Sequence, residues 1–259
     1  MVFAANDIVV WLSGFLLPMF RIAALISAAP IIGARMAPVR VKLMFALALT
    51  LVVGPLLPGI PAVDLFSFNG MLVVLQQVLI GLTMGFALQL VFQAFVFSGQ
   101  MVALTMGLGF ASLNDPVTGV VVPTVSQFYT IMVTLVFFAL GGHLVMIEVL
   151  IDSFVTLPIG MEGVSQASLW SLLSWVSYMF AGAVLVVLPA IAAMLIVNIG
   201  FGVLMRSSPQ LNIFAIGFPV IMTLGFVVIY ISLPNLLPQF ELLLASGFEL
   251  MREIGGGAR

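Results

Sequence analysis

Residues 98–127, SGQMVALTMGLGFASLNDPVTGVVVPTVSQ, interrupt a chain that otherwise reads as one apolar helix after another. Glycines at 99, 107, 109 and 119, prolines at 116 and 123, and the polar pair Asn114/Asp115 break helix repeatedly between the apolar run 71–97 and the next one near 128–147. Hydrocarbon cannot satisfy the N–H and C=O groups that a broken backbone leaves unpaired. At membrane depth such a segment is therefore buried in protein or lines an aqueous path. Two readings stay open from these residues alone: a functional re-entrant segment, or a Gly-rich turn or interhelical loop with a structural job.

Composition sets the surroundings of that segment. The chain is 63% hydrophobic and 6% charged, with a mean hydropathy of +1.35, whereas a soluble domain carries roughly 25% charged residues. This is an integral membrane protein without a hidden soluble domain. Seven basic and nine acidic side chains give a net charge of −2, which supplies neither a nucleic-acid footprint nor a polybasic lipid anchor. With no cysteine, disulfide and thiolate chemistry are excluded. Residues 1–7 lack a basic leader region and the apolar run beyond them continues to Ile32, too long for a signal peptide, so it reads as a retained span.

In chain order, 8–32 is a first helix carrying Pro18 and Arg21. A midspan arginine costs about 2.5–3.5 kcal/mol on insertion scales, so Arg21 is expected to face protein, water or a carboxylate, with the backbone carbonyls of a neighbouring helix as the plainest partners. Pro30 and Pro38 bracket a linker with Arg35, Arg40 and Lys42, cytoplasmic by the positive-inside rule. A second span, 43–57, ends in a proline-rich turn with Asp64, which puts the N-terminus on the periplasmic side. In 71–97, Gln77, Gly81, Gly85, Gln89 and Gln93 recur at steps of four. Because four exceeds the helical repeat of about 3.6, that face stays against a neighbour only under right-handed winding. It reads as a seam between subunits or within the chain, with a pore lining as the alternative.

A helix is expected over about 125–150, with His143, Glu148 and Asp152 near its end, and a polar linker over 153–169. The run 170–205 is longer than one span needs and contains Pro189. Pro209 and Gln210 turn the chain into 211–233, and 236–251 reads as a short amphipathic closing helix followed by frayed glycines at 255–257. Arg252 and Arg259 disagree with a six-span model that ends outside. No phosphate-binding, zinc-protease or nucleophile-elbow motif occurs, and a lone His143 makes a poor metal site. The expectation is a non-enzyme with no cofactor and no metal. A secondary transporter of small solutes is the rival, since broken helices and an intramembrane Arg21 serve transporters too.

Taken together the chain resembles the FliR family, the R component of the bacterial flagellar type III export gate. The resemblance covers nearly the whole chain. It rests on Arg21 with Ala29-Pro30 and Pro38-x-Arg40, on Ser98-Gly99-Gln100 with Gly107 and Asp115-Pro116-x-x-Gly119, on Gly142-His143, on Ser153-Phe154 with Pro158, and on Pro209-Gln210 with Asn212-x-Phe214. Their order and spacing carry the match.

The resemblance implies an all-α membrane protein of kinked helical hairpins with one broken, Gly-rich re-entrant plug, built into a helically wound hetero-oligomer. Residues 1–165, including the plug stretch 98–127, would resemble a P subunit. Residues 166–259 would resemble a Q-subunit hairpin with a C-terminal amphipathic helix. It implies a plug at Met106, Gly107, Leu108, Gly109, Phe110, Asn114, Asp115, Pro116 and Gly119, and packing roles for Arg21, Pro30, Pro38, Arg40, the five seam residues, Pro209 and Gln210. The implied partners are the P and Q subunits, the B subunit that acts as export switch protein, rod or adaptor proteins, membrane lipid and unfolded flagellar substrates, with no nucleic acid. The implied place is the bacterial inner membrane at the flagellar basal body, much of the complex being lifted toward the periplasm. The equivalent subunit of a virulence type III secretion system shares this architecture and stays open.

Overall fold

The computed structural model describes residues 5–31, 33, 37–57, 59–61, 63–65, 67–108, 124–207 and 217–256, the first six of them by backbone alone. Among these residues the chain is helical with no strand. The helices are α1 (Ala5–Ala28), α2 (Val39–Val53), α3 (Phe68–Thr105), α4 (Thr124–Ala139), α5 (Gly142–Thr156), α6 (Gln166–Ser207) and α7 (Phe218–Ile254), with a 3-10 turn at Gly54–Leu56. Five of them are long and apolar enough to cross a membrane, and α4 with α5 adds a sixth if the pair is one broken span.

Three helices run further than the sequence pattern suggests. α3 begins at a Ser67 cap, whose hydroxyl accepts the Gly70 N–H at 3.0 Å, and continues through Ser98 and Gly99 to Thr105. The interruption therefore starts at Met106, because a helical glycine merely weakens a helix whose neighbours still bury it. α7 joins the expected span 211–233 and the expected closing helix 236–251 into one element that runs through Pro234 and Pro238. Each proline removes one hydrogen bond, but in an apolar setting a complete break would leave several backbone groups unpaired. The separate amphipathic helix does not exist. The expected helix over 125–150 is, conversely, two: it breaks at Gly141, whose φ of 70° lies in the left-handed region, and α5 then continues to Thr156.

The chain forms two compact units. The first comprises 1–90, 138–176 and 244–259, the second 91–137 and 177–243. These units cut across the 1–165 and 166–259 division, which is one of likeness to two kinds of subunit. In the first unit α1, the start of α3, α5 and the end of α7 share a core of Leu17, Leu25, Ile80, Met84, Phe154 and Met251, each at most 2% exposed. In the second, Phe92 sits edge-on to Phe137 at 5.5 Å and to Phe240 at 5.9 Å, and Phe95 to Phe240 at 5.4 Å. α6 and α7 meet in each: Trp175 Nε1 donates to Ser246 Oγ in the first, and Gly182 lies against Leu243 in the second.

Candidate functional site

Two constellations stand out, one in each unit. In the first, Arg21 is completely buried and donates from four of its five N–H groups. Its Nε donates to Gln77 Oε1 at 2.8 Å, one Nη to the Ser153 carbonyl at 2.8 Å and the Ser153 hydroxyl at 3.2 Å, and the other Nη to the Leu157 carbonyl at 2.9 Å. All of these partners are neutral. The carbonyls belong to the last turn of α5 and the residue after it, where a helix leaves C=O groups without donors and carries partial negative charge. The guanidinium thus caps α5, and its Cζ lies 4.4 Å from the centre of the Phe154 ring, a cation–π contact. This is the carbonyl pairing expected from the sequence, and it ties α1, α3 and α5 together.

The seam residues divide. Gly81 and Gly85 lie against α1 of the same chain: a Cβ on Gly81 would fall on the Arg21 carbonyl oxygen, and one on Gly85 would stand 2.8 Å from both Ala28 Cβ and the Leu25 carbonyl oxygen. Gln77 holds Arg21, while Gln89 and Gln93 are half-buried. Pro30 is buried, and Pro38 and Arg40 are exposed at the start of α2, beside Lys42, whose Nζ closes the linker on the Gly33 carbonyl at 2.8 Å. Pro209 and Gln210 lie outside the described residues.

In the second unit the root of the broken stretch is held from three sides. The Ser98 hydroxyl donates to the Ala94 carbonyl of its own helix and, at 2.9 Å, stands within bonding distance of the Ala183 carbonyl of α6. Gly99 admits α4 so closely that a side chain there would meet the Ser126 Cα. Past Thr105 the chain turns on Gly107, with φ of 78°. The Leu108 N–H bonds the Ala103 carbonyl and the Gly107 N–H the Leu104 carbonyl, the paired bonds of a Schellman cap. Met106 is fully buried with its side chain over Gly225 of α7, and Asn198 of α6 donates to the Thr105 carbonyl. Of the expected plug residues, Met106, Gly107 and Leu108 are placed here. Gly109, Phe110, Asn114, Asp115, Pro116 and Gly119 lie outside the described residues. The His143 ring lies tilted against Phe138, centroids 5.3 Å apart, and among the described residues no three His, Cys, Asp or Glu side chains gather where they could hold a metal ion.

Comparison with known proteins places this arrangement. Residues 12–247 match the family model of bacterial export proteins, family 1. The chain is 38% identical to the flagellar biosynthetic protein FliR of Pectobacterium carotovorum over 97% of this chain and 96% of that one. It belongs to the FliR family. The FliR of Escherichia coli K12 is 37% identical over 94% of this chain and 93% of its own, and that of Bacillus subtilis 24% over 96% and 97%.

Seen as a FliR-family chain, two of the motifs that carried the resemblance are one object: Arg21 and Ser153-Phe154 meet in space. Sequence reasoning passed over Asn198. The signal it carries is that it is the only side chain with a polar group in the run 179–205, and such amides in apolar helices bond to neighbouring helices.

Proposed function

We propose that this FliR-family chain is a non-enzymatic core subunit of the flagellar type III export gate, assembled with P and Q subunits in the inner membrane at the basal body. There it helps form and seal the channel that unfolded flagellar proteins cross. Family membership over nearly the whole length supports the gate role. The observation that carries the sealing role is the way α3 ends: a helix long enough to span stops in a glycine-based cap at Thr105–Gly107 in an apolar chain, and the broken stretch comes directly after.

Sealing needs no bond-making chemistry. Glycines let the backbone turn, methionine and phenylalanine deform to fill an irregular gap, and an apolar constriction excludes hydrated ions. Long helices suit a wound assembly that is partly lifted out of the bilayer. At about 1.5 Å per residue, α3, α6 and α7 extend roughly 57, 63 and 56 Å, about twice the thickness of a ~30 Å hydrocarbon core. The B subunit, rod or adaptor proteins and unfolded substrates are the remaining partners of this reading.

The solute-transporter alternative loses its main support in the Arg21 site. A substrate-binding arginine keeps donors free for its ligand, and here four of the five N–H groups are given to carbonyls, a hydroxyl and an amide of the same chain. The test is ion leak through the assembled gate, in cells or liposomes, comparing wild type with a deletion of residues 107–110. Increased leak with intact assembly is expected. Unchanged leak with intact assembly would sink the seal and leave a scaffold subunit.

A further inference from the structure

Each of the four carbonyls that end α3 has a donor, and one of those donors comes from another helix. The Val102 carbonyl takes the Met106 N–H at 3.0 Å, the Ala103 carbonyl the Leu108 N–H and the Leu104 carbonyl the Gly107 N–H. Among the described residues the donor to the remaining carbonyl, that of Thr105, is Asn198 Nδ2 at 3.0 Å. In an apolar setting an unpaired carbonyl is costly. The Asn198 amide thus carries a polar tie from α6 to the carbonyl at the very end of α3.

A second restraint acts one residue on. Met106 lies over Gly225 so tightly that a Cβ on Gly225 would stand 2.6 Å from Met106 Cγ, 2.7 Å from Cε and 2.9 Å from Sδ. The Cγ is not the free end of the side chain, so a substituent on Gly225 forces the Met106 side chain out of its present position from its root. One restraint is polar and comes from α6, the other is steric and comes from α7. Both act at the last residues before the broken stretch.

We propose that Asn198 and Gly225 are positioning residues that fix the end of α3, and through it set how tightly the channel is sealed. This rests on the sealing role assigned above. Losing the Asn198 donor frees the Thr105 carbonyl to seek another partner, which unwinds or extends the helix end and displaces the residues beyond it. Filling the Gly225 site displaces Met106 directly.

The experiment measures ion leak through the complete gate reconstituted in liposomes, for variants that assemble at wild-type yield. Asn198→Leu and Gly225→Ala each raise leak severalfold, and Asn198→Gln, which keeps an amide donor, stays close to wild type. Met106→Ala leaks as well, but in Gly225→Ala/Met106→Ala the new methyl occupies vacated space, so the pair leaks less than either single change. If Asn198→Leu fails to assemble, Gly225→Ala and its pairing with Met106→Ala decide the matter alone. Wild-type tightness in Gly225→Ala, or a pair that leaks as much as the two single changes together, overturns the inference. The deletion of residues 107–110 separates the two levels: if it leaks while the positioning variants stay tight, the seal stands and this inference falls. If the deletion is tight too, both fall.

Discussion

Arg21 shows how a single buried charge is made tolerable without a counter-ion. Its planar fork meets the C-terminal end of α5, where carbonyls without helical donors converge. Arg21→Leu leaves the Ser153 and Leu157 carbonyls and the Gln77 amide without their partner, and should cost on the order of 3 kcal/mol. It is read as a lower thermal midpoint of the purified chain in detergent. Arg21→Lys should recover only part, because a point ammonium cannot reach three divergent acceptors and the face of Phe154 together. An equal midpoint for Lys would show that charge and not fork geometry matters. Small residues give a matched contrast on neighbouring helices. Gly81→Ala drives a methyl onto the Arg21 carbonyl oxygen and should destabilise by about 1–3 kcal/mol, whereas Gly14→Ala, with nothing within 4 Å, should be neutral or gain up to ~1 kcal/mol from helix propensity. The sequence made legible that Arg21 faces protein, water or a carboxylate rather than lipid, with helix carbonyls as the plainest partners. Which carbonyls it meets was not legible, because Ser153 lies 132 residues away and nothing local marks the pair.

At the scale of the element, the helix ends were the hard part to read, and the reason is context. Proline and glycine are strong breakers in water, but an apolar environment penalises every backbone group that a break exposes. Pro234 and Pro238 accordingly sit inside α7 and Gly99 inside α3, while Gly141 does break the chain because its left-handed turn bonds itself: the Gly141 N–H donates to the Phe138 carbonyl and the Leu144 N–H to the Gly141 carbonyl. Gly141→Ala keeps the bonds but forces a Cβ into the left-handed region, at roughly 1–2 kcal/mol. Its detergent midpoint should fall, while Gly160→Ala, which has no φ constraint and nothing within 4 Å, should not move it. At this scale the apolar helical character was legible from hydropathy, whereas the helix ends, among them the Schellman end of α3 and its Asn198 donor, needed the packed structure.

For the molecule as a whole, helix length outruns membrane thickness. α6 spans 42 residues, and its first third, with Gln166, Ser168, Ser171, Ser174 and Ser177, is the polar part. We expect that third to lie in water. Because the chain contains no cysteine, single cysteines placed at the exposed positions Trp170 and Leu173 should react with a membrane-impermeant maleimide, and those at Leu195, Ile196 and Ile199 should not. Uniform labelling along α6 would refute the membrane placement. The all-helical class and the family were readable from composition and motif order. The two interleaved units were not, since they arise from α3, α6 and α7 each entering both. The Arg21 site, finally, has a consequence for how the protein is made. Its acceptors at Ser153 and Leu157 are synthesised 132 and 136 residues after it, a wait of about 7 to 27 s at the ribosome's ~5–20 residues per second. For that interval α1 carries a cation whose only partner already made is Gln77, and since lipid disfavours such a charge, α1 is expected to keep it near water until its own α5 arrives.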